Sequence, residues 1–177
     1  MRDIQITIVL IAALVMGLFS CSSSIDEKDK PMGETMLQQP NNAVTLPAFN
    51  MTDANGNIIN LSSFKGKKVF VNLWATWCPP CREEIPSIEA LASKVDSANS
   101  VFILLSLDKN FEVAKKFAKS ENLTVPIYYP AENLPALFNI DGIPATFIFN
   151  ENGDLIKQNN GADDYNTEEY LDILSRK

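Results

Sequence analysis

Histidine is absent from the chain. That absence removes Cys/His zinc sites, Ser-His and Cys-His catalytic pairs, and haem ligation by histidine. Cysteine is scarce, with three residues, Cys21, Cys78 and Cys81. Basic residues are in the minority, 15 Lys and Arg against 22 Asp and Glu, giving a net charge of −7 and a pI near 4.6. Phosphate contacts need a basic face, so this balance argues against nucleic acid as a partner. Long hydrophobic runs are missing too. The longest, residues 8–19, falls short of the roughly 20 residues that cross a bilayer as a helix. What remains is a chain of 177 residues, 46% apolar, enough for one domain with a real core plus appendages.

The run "IVLIAALVMGLF" follows Arg2 closely and suits the core of a signal peptide. After it comes "LFSC", which resembles the lipobox of bacterial lipoproteins. The resemblance implies cleavage after residue 20 and lipid on Cys21. Phe19 departs from the small or aliphatic residue usual there, and a signal peptide cut elsewhere would leave Cys21 free. Residues 21–43 are polar and show no hydrophobic periodicity, so they read as a flexible tether holding a head off a membrane surface. That places the head in the cell envelope, outside the cytoplasm, where disulfides persist.

The head, residues 44–177, alternates strand-like and helix-like patterns. Asn55-Gly56 marks a hairpin between two short strands. Residues 67–75, "KKVFVNLWA", form a near-continuous apolar run and read as a buried strand, with Trp74 in the core. Residues 79–95 carry helical spacing at Ile85, Ile88, Leu91 and Val95, with a kink expected at Pro86. A second buried strand covers residues 100–108, and an amphipathic helix capped by Asn110 covers 110–122. "VPIYY" reads as a short strand and "AENLPALFNI" as a short helix. "ENGD" is a second hairpin turn, and a helix closes the chain. Strands alternating with helices predict an α/β sheet, made mixed by the terminal hairpin.

"NLWATWCPPCREEIP" places Cys78 and Cys81 where strand gives way to helix. Three uses compete for such a pair. A structural zinc site needs four ligands, and the head has two cysteines and no histidine. A structural disulfide would close a very small loop and constrain the unfolded chain little. A redox dithiol fits the βαβ context. Cys78 falls at the N-cap, facing the positive end of the helix dipole, which stabilises the nucleophilic thiolate. Cys78 is therefore expected to be exposed and Cys81, one turn in, to be buried. Pro79 and Pro80 supply no N–H, so the amide of Cys81 is the first after Cys78 able to bond its sulfur. Stabilisation of the thiolate is then modest, though Arg82 offsets some of the loss. That favours a reductant nearer about −270 mV than the roughly −120 mV of a strong oxidant.

"VFVNLWATWCPPCREEIP" and "GIPATFIFNENGDLI" resemble the thioredoxin superfamily, and more closely its membrane-anchored TlpA/ResA-like thiol:disulfide oxidoreductases. The resemblance covers residues 44–177. It implies a thioredoxin-like α/β fold, a central mixed sheet flanked by helices, with an added N-terminal β-hairpin and an inserted βα element in the middle. It implies an enzyme that reduces protein disulfides outside the cytoplasm without a bound cofactor. Partners would be disulfide-containing envelope proteins, apocytochrome c among them, and a transmembrane thiol-disulfide electron donor. Carried over by position, Cys78 resembles the attacking cysteine, Cys81 the resolving cysteine and Glu84 the active-site glutamate. Pro144 matches the family's cis-proline, and Ile143 before it would offer its backbone to an extended substrate. Trp77 is expected to be an exposed contact surface. Thioredoxin itself carries a buried aspartate where this chain has Asn72, so Glu84 is the nearest acid left to move protons for Cys81. Two rivals share the fold. A thiol peroxidase needs a P-x-x-x-T-x-x-C arrangement that "NLWATWC" lacks, and a copper metallochaperone typically adds a histidine.

Overall fold

A computed structural model describes residues 44–176. The expected signal peptide, the tether and Cys21 lie outside the described residues. Among the described residues no helix is long and apolar enough to cross a membrane.

Seven strands form one sheet: β1 (Asn50–Asp53), β2 (Ile58–Asn60), β3 (Lys68–Trp74), β4 (Ser100–Ser106), β5 (Ile127–Pro130), β6 (Ala145–Phe149) and β7 (Leu155–Asn160). Their order is β2-β1-β5-β4-β3-β6-β7. β3, β4 and β5 run parallel; β6 and β7 on one side, and β1 and β2 on the other, pair antiparallel. The sheet is therefore mixed, as the sequence predicts. β3 lies inside it, and all seven of its residues are buried. That explains its unbroken apolar run. Gly56 and Gly153 take φ of 90° and 87° in the two hairpin turns, a backbone region costly for other residues.

The helices are α1 (Pro79–Lys94), α2 (Phe111–Ser120) and α3 (Glu168–Ser175). The Asn110 side chain caps α2 by accepting the Glu112 amide at 2.9 Å. α1 runs without a break through Pro86, so the expected kink does not interrupt it. β5 joins the N-terminal hairpin to the rest of the sheet, pairing with β1 on one side and β4 on the other. "AENLPALFNI" differs from its reading as a helix. It makes only a single 3₁₀ turn, Ala136–Phe138, because Pro135 stands directly before it and has no N–H with which to extend a helix backwards.

Buried side chains of all three helices join one apolar cluster with Phe70, Trp74 and Ile148. The other cluster is built from Val69, Val71, Leu73, Phe147 and Phe149. It is completed by Leu46, Phe49 and Leu61 from the N-terminal segment and Phe138 from the 3₁₀ turn. The helices thus pack on one face of the sheet, and irregular chain covers the other.

Candidate active site

β3 ends at Trp74, and after four intervening residues α1 begins at Pro79. Cys78 is the N-cap of α1, with extended backbone (φ −96°, ψ 104°). Its sulfur accepts the Cys81 amide at 3.3 Å. This is the first amide available, because Pro79 and Pro80 occupy the opening helical positions. Cys78 and Cys81 are joined as a disulfide, with Cα atoms 5.3 Å apart. The pair expected from the sequence is therefore close enough to exchange electrons without rearranging the backbone.

Exposure differs from expectation at one sulfur. Cys81 is fully buried as predicted, but Cys78 is also buried, at 3% exposure. The Ile143 carbonyl oxygen lies 3.7 Å from the Cys78 sulfur, so the neighbouring loop covers it. Trp77, next to Cys78, is exposed as expected, at 65%. The Ile143–Pro144 peptide is cis, as the resemblance implies. Ile143 is half-buried and Pro144 buried. Beside this loop opens a cavity of about 410 Å³, lined chiefly by Trp77, Leu107, Leu134, Phe138, Ile140 and Ile143.

Glu84 lies on the buried side of α1 and is 3% exposed. One carboxylate oxygen accepts from the Asn72 side-chain amide at 2.7 Å, and the other accepts from the Asp163 backbone N–H at 3.2 Å. Burial pushes its pKa from 4.5 up to about 7; these two bonds oppose the rise, and the Asp163 charge adds to it. Asn72 also donates to the Thr146 hydroxyl at 2.9 Å, and Thr146 shares a hydrogen bond of 2.7 Å with the Tyr165 hydroxyl. Burial pushes the Tyr165 phenol up to about 12. Among the described residues the Asn72 side-chain carbonyl oxygen, though buried, has no partner.

The structure thus brings Cys78, Cys81, Trp77, Ile143 and Pro144 together and buries Glu84 on the same helix. It adds Thr146, Asp163 and Tyr165, which sequence reasoning missed. Thr146 faces Asn72 across the antiparallel β3–β6 pairing. Nothing in a local pattern gives that register. Trp74 is core as expected, packed against Phe117 at a ring-centroid distance of 5.4 Å.

Known proteins resemble this chain in sequence and in fold. The profile of the family described as Redoxin matches residues 40–174. The thiol-disulfide oxidoreductase ResA of Bacillus thuringiensis subsp. konkukian is 32% identical over 132 residues, covering 74% of this chain and 75% of that protein. The thioredoxin-like protein YneN of Bacillus subtilis is 35% identical over 109 residues. That match covers 60% of this chain and 64% of YneN, less than two thirds of its length. The crystal structure of StoA from Bacillus subtilis superposes with a TM-score of 0.60 at 28% identity, covering 72% of this chain and 98% of that one. The chain belongs to the Redoxin family, as a thioredoxin-fold, ResA-like member among the thiol-disulfide oxidoreductases.

Proposed function

We propose that this protein reduces disulfides of other proteins in the cell envelope, through the Cys78–Cys81 dithiol. The observation that carries the reading is the cysteine pair at the start of α1, with the Cys78 sulfur at the N-cap beside the Ile143 carbonyl. In the reduced protein, the helix dipole and the Cys81 amide favour the Cys78 thiolate. That thiolate attacks one sulfur of the substrate disulfide, forming a mixed disulfide and releasing the other substrate sulfur as a thiolate. Cys81 then loses its proton to Glu84 and attacks the Cys78 sulfur. The second substrate thiolate leaves, and the Cys78–Cys81 disulfide remains. Two electrons pass to the substrate, and a transmembrane thiol-disulfide donor restores the dithiol. Glu84 suits its part because its burial sets a pKa of about 7, so it gains and loses a proton near neutral pH. Ile143 and Trp77 receive the substrate chain.

The location in this proposal rests on the apolar run at residues 8–19 and on Cys21 in "LFSC". Lipid on Cys21 would hold the head at the membrane, and apocytochrome c is one substrate the resemblance implies. Cys21→Ala should release the protein from the membrane fraction while the head stays folded. An unchanged membrane fraction would refute the anchor.

Trapping tests the chemistry. Cys81→Ser should accumulate mixed disulfides with envelope proteins on non-reducing gels, since attack proceeds and release cannot. Cys78→Ser should accumulate none, and both should lose multiple-turnover reduction. The reverse pattern would exchange the roles of the two cysteines. If both variants kept reductase activity, the redox reading would fail.

A further inference from the structure

Asp108 lies two residues beyond the end of β4 and has no part in the chemistry described above. It is 5% exposed, and among the described residues it has no ion-pair partner. A carboxylate buried without a cation is costly unless donors satisfy it. Here the donors are all neutral. The Thr76 amide reaches its two oxygens at 3.1 and 3.3 Å. The Thr76 hydroxyl donates at 2.7 Å, and the Ser106 hydroxyl at 2.8 Å. Ser106 in turn accepts the Asp108 amide at 3.2 Å.

Two of the three donor groups belong to Thr76, in the loop that leads to Cys78. β3 and β4 pair as far as Trp74 and Ser106, and the Leu107 amide donates to the Trp74 carbonyl at 2.8 Å. The Asp108 carboxylate continues this connection one residue further along the loop, where backbone pairing has ended. The residues next to the clamp on each strand are Trp77, after Thr76, and Leu107, before Asp108. Both line the apolar cavity beside Ile143. Trp77 is largely exposed, so little of its own packing fixes its place.

We infer that Asp108 is a positioning residue for substrate docking: by clamping Thr76 it holds Trp77 and Leu107 as walls of the groove beside the disulfide, which takes an apolar side chain flanking the substrate's cysteine. The inference rests on the reductase reading above and names the substrate feature that site prefers. Removing the carboxylate frees the loop at Thr76 and leaves the cysteines and α1 in place. Recognition therefore weakens before chemistry does.

The test uses the full chain and two peptide disulfides, identical except for leucine or serine beside each cysteine. The wild type should show the lower KM for the leucine peptide. Asp108→Asn should raise that KM about fivefold, a modest fraction of what a buried apolar anchor is worth, and Thr76→Val, which keeps the amide bonds to Asp108, should raise it by less. kcat should hold within about twofold, and the KM for the serine peptide should move by less than about twofold. The double variant should be no worse than Asp108→Asn alone, because the Thr76 hydroxyl acts only through the Asp108 carboxylate. Equal KM changes for the two peptides, or a loss confined to kcat, would reduce Asp108 to a general structural role and overturn the inference. Amide exchange at Thr76 provides a reading independent of activity. Asp108→Asn should speed it at least about tenfold, and unchanged exchange would also overturn the inference. A wild type that reduces neither peptide would instead refute the reductase reading, and the exchange result would then decide whether the clamp exists.

Discussion

On β3, Val69, Val71 and Leu73 join one apolar cluster, while Phe70 and Trp74 join the other with the cysteines. Asn72 lies between Phe70 and Trp74 in the alternation and shares their face. β6 repeats the division, with Phe147 and Phe149 on the first side and Thr146 beside Ile148 on the second. The irregularly covered side is apolar except for the Tyr128 hydroxyl, and among the described residues no buried polar chain crosses it. The helix-covered side carries a buried polar chain, Glu84–Asn72–Thr146–Tyr165, set into an equally apolar surround. Both sides are fully buried, so both can hold the fold. Only one also holds a group that titrates near neutral pH. The difference teaches that stability and proton handling are separated by the thickness of one sheet, and substitutions on the two sides should separate them again.

The largest effect should come from the irregularly covered side. Phe147 is fully buried and packs against Phe138 at a centroid distance of 5.0 Å. Phe147→Ala leaves a cavity among residues that cannot all collapse into it and should cost about 3–5 kcal/mol of stability. Denaturant unfolding measures that loss. The pH dependence of disulfide reduction by the folded fraction should stay as in the wild type, because no polar group changes partner. A shifted profile would break the proposed separation.

Glu84 sharpens the same comparison through pH. Its folded pKa of about 7 lies above the ordinary 4.5. The folded state therefore binds the extra proton more readily than the unfolded chain. Glu84 thus destabilises the fold least below pH 4.5, and stability falls as pH rises through 7. The difference corresponds to about 3 kcal/mol at full extent. Glu84→Gln cannot ionise, so its stability should lack this fall between pH 5 and 8. Reduction should slow and its pH profile should flatten, since no carboxylate then receives the Cys81 proton. Parallel stability curves for the two proteins across that range would return Glu84 to a structural role.

Most of this division was legible in the sequence, for reasons that differ by residue. β3 announced itself because a strand covered on both faces needs an apolar residue at nearly every position. The hairpin turns did so because Gly56 and Gly153 supply a backbone that other residues resist. Cys78 and Cys81 stood out because four residues fix their spacing. Asn72, where thioredoxin carries a buried aspartate, pointed to Glu84 as the nearest acid for Cys81. The partners across that face were not legible. Thr146 meets Asn72 through strand pairing and Asp163 reaches Glu84 across 79 residues of sequence, and neither separation leaves a periodic trace. The burial of Cys78 was misjudged for the same reason, since the cover comes from Ile143, 65 residues away. The reading of "AENLPALFNI" as a helix overweighted local apolar spacing against Pro135.

Thr146 and Phe147 are neighbours in the chain whose side chains lie on opposite faces of β6, which makes Thr146→Val the finest form of the comparison. Valine keeps the shape and removes one hydroxyl. Asn72 would keep its bond to Glu84 and lose its second acceptor, and the Tyr165 hydroxyl would lose its partner at 2.7 Å. An unmade buried bond of this kind costs about 1–3 kcal/mol, less than the cavity left by Phe147→Ala. The effect on chemistry should nonetheless be the larger of the two. Asn72 donates to Glu84 with a side chain held from its other side by Thr146. Without that second hold the amide turns more freely, and its bond to the carboxylate weakens. That bond favours the ionised form, so the Glu84 pKa should rise above its present value of about 7. The pH profile of reduction should therefore move upward with Thr146→Val and stay put with Phe147→Ala, although Phe147→Ala is the more damaging to the fold. Thermal unfolding and a pH–rate series on both variants would test this inversion. A profile that follows stability, shifting more in Phe147→Ala than in Thr146→Val, would show that the two faces are coupled.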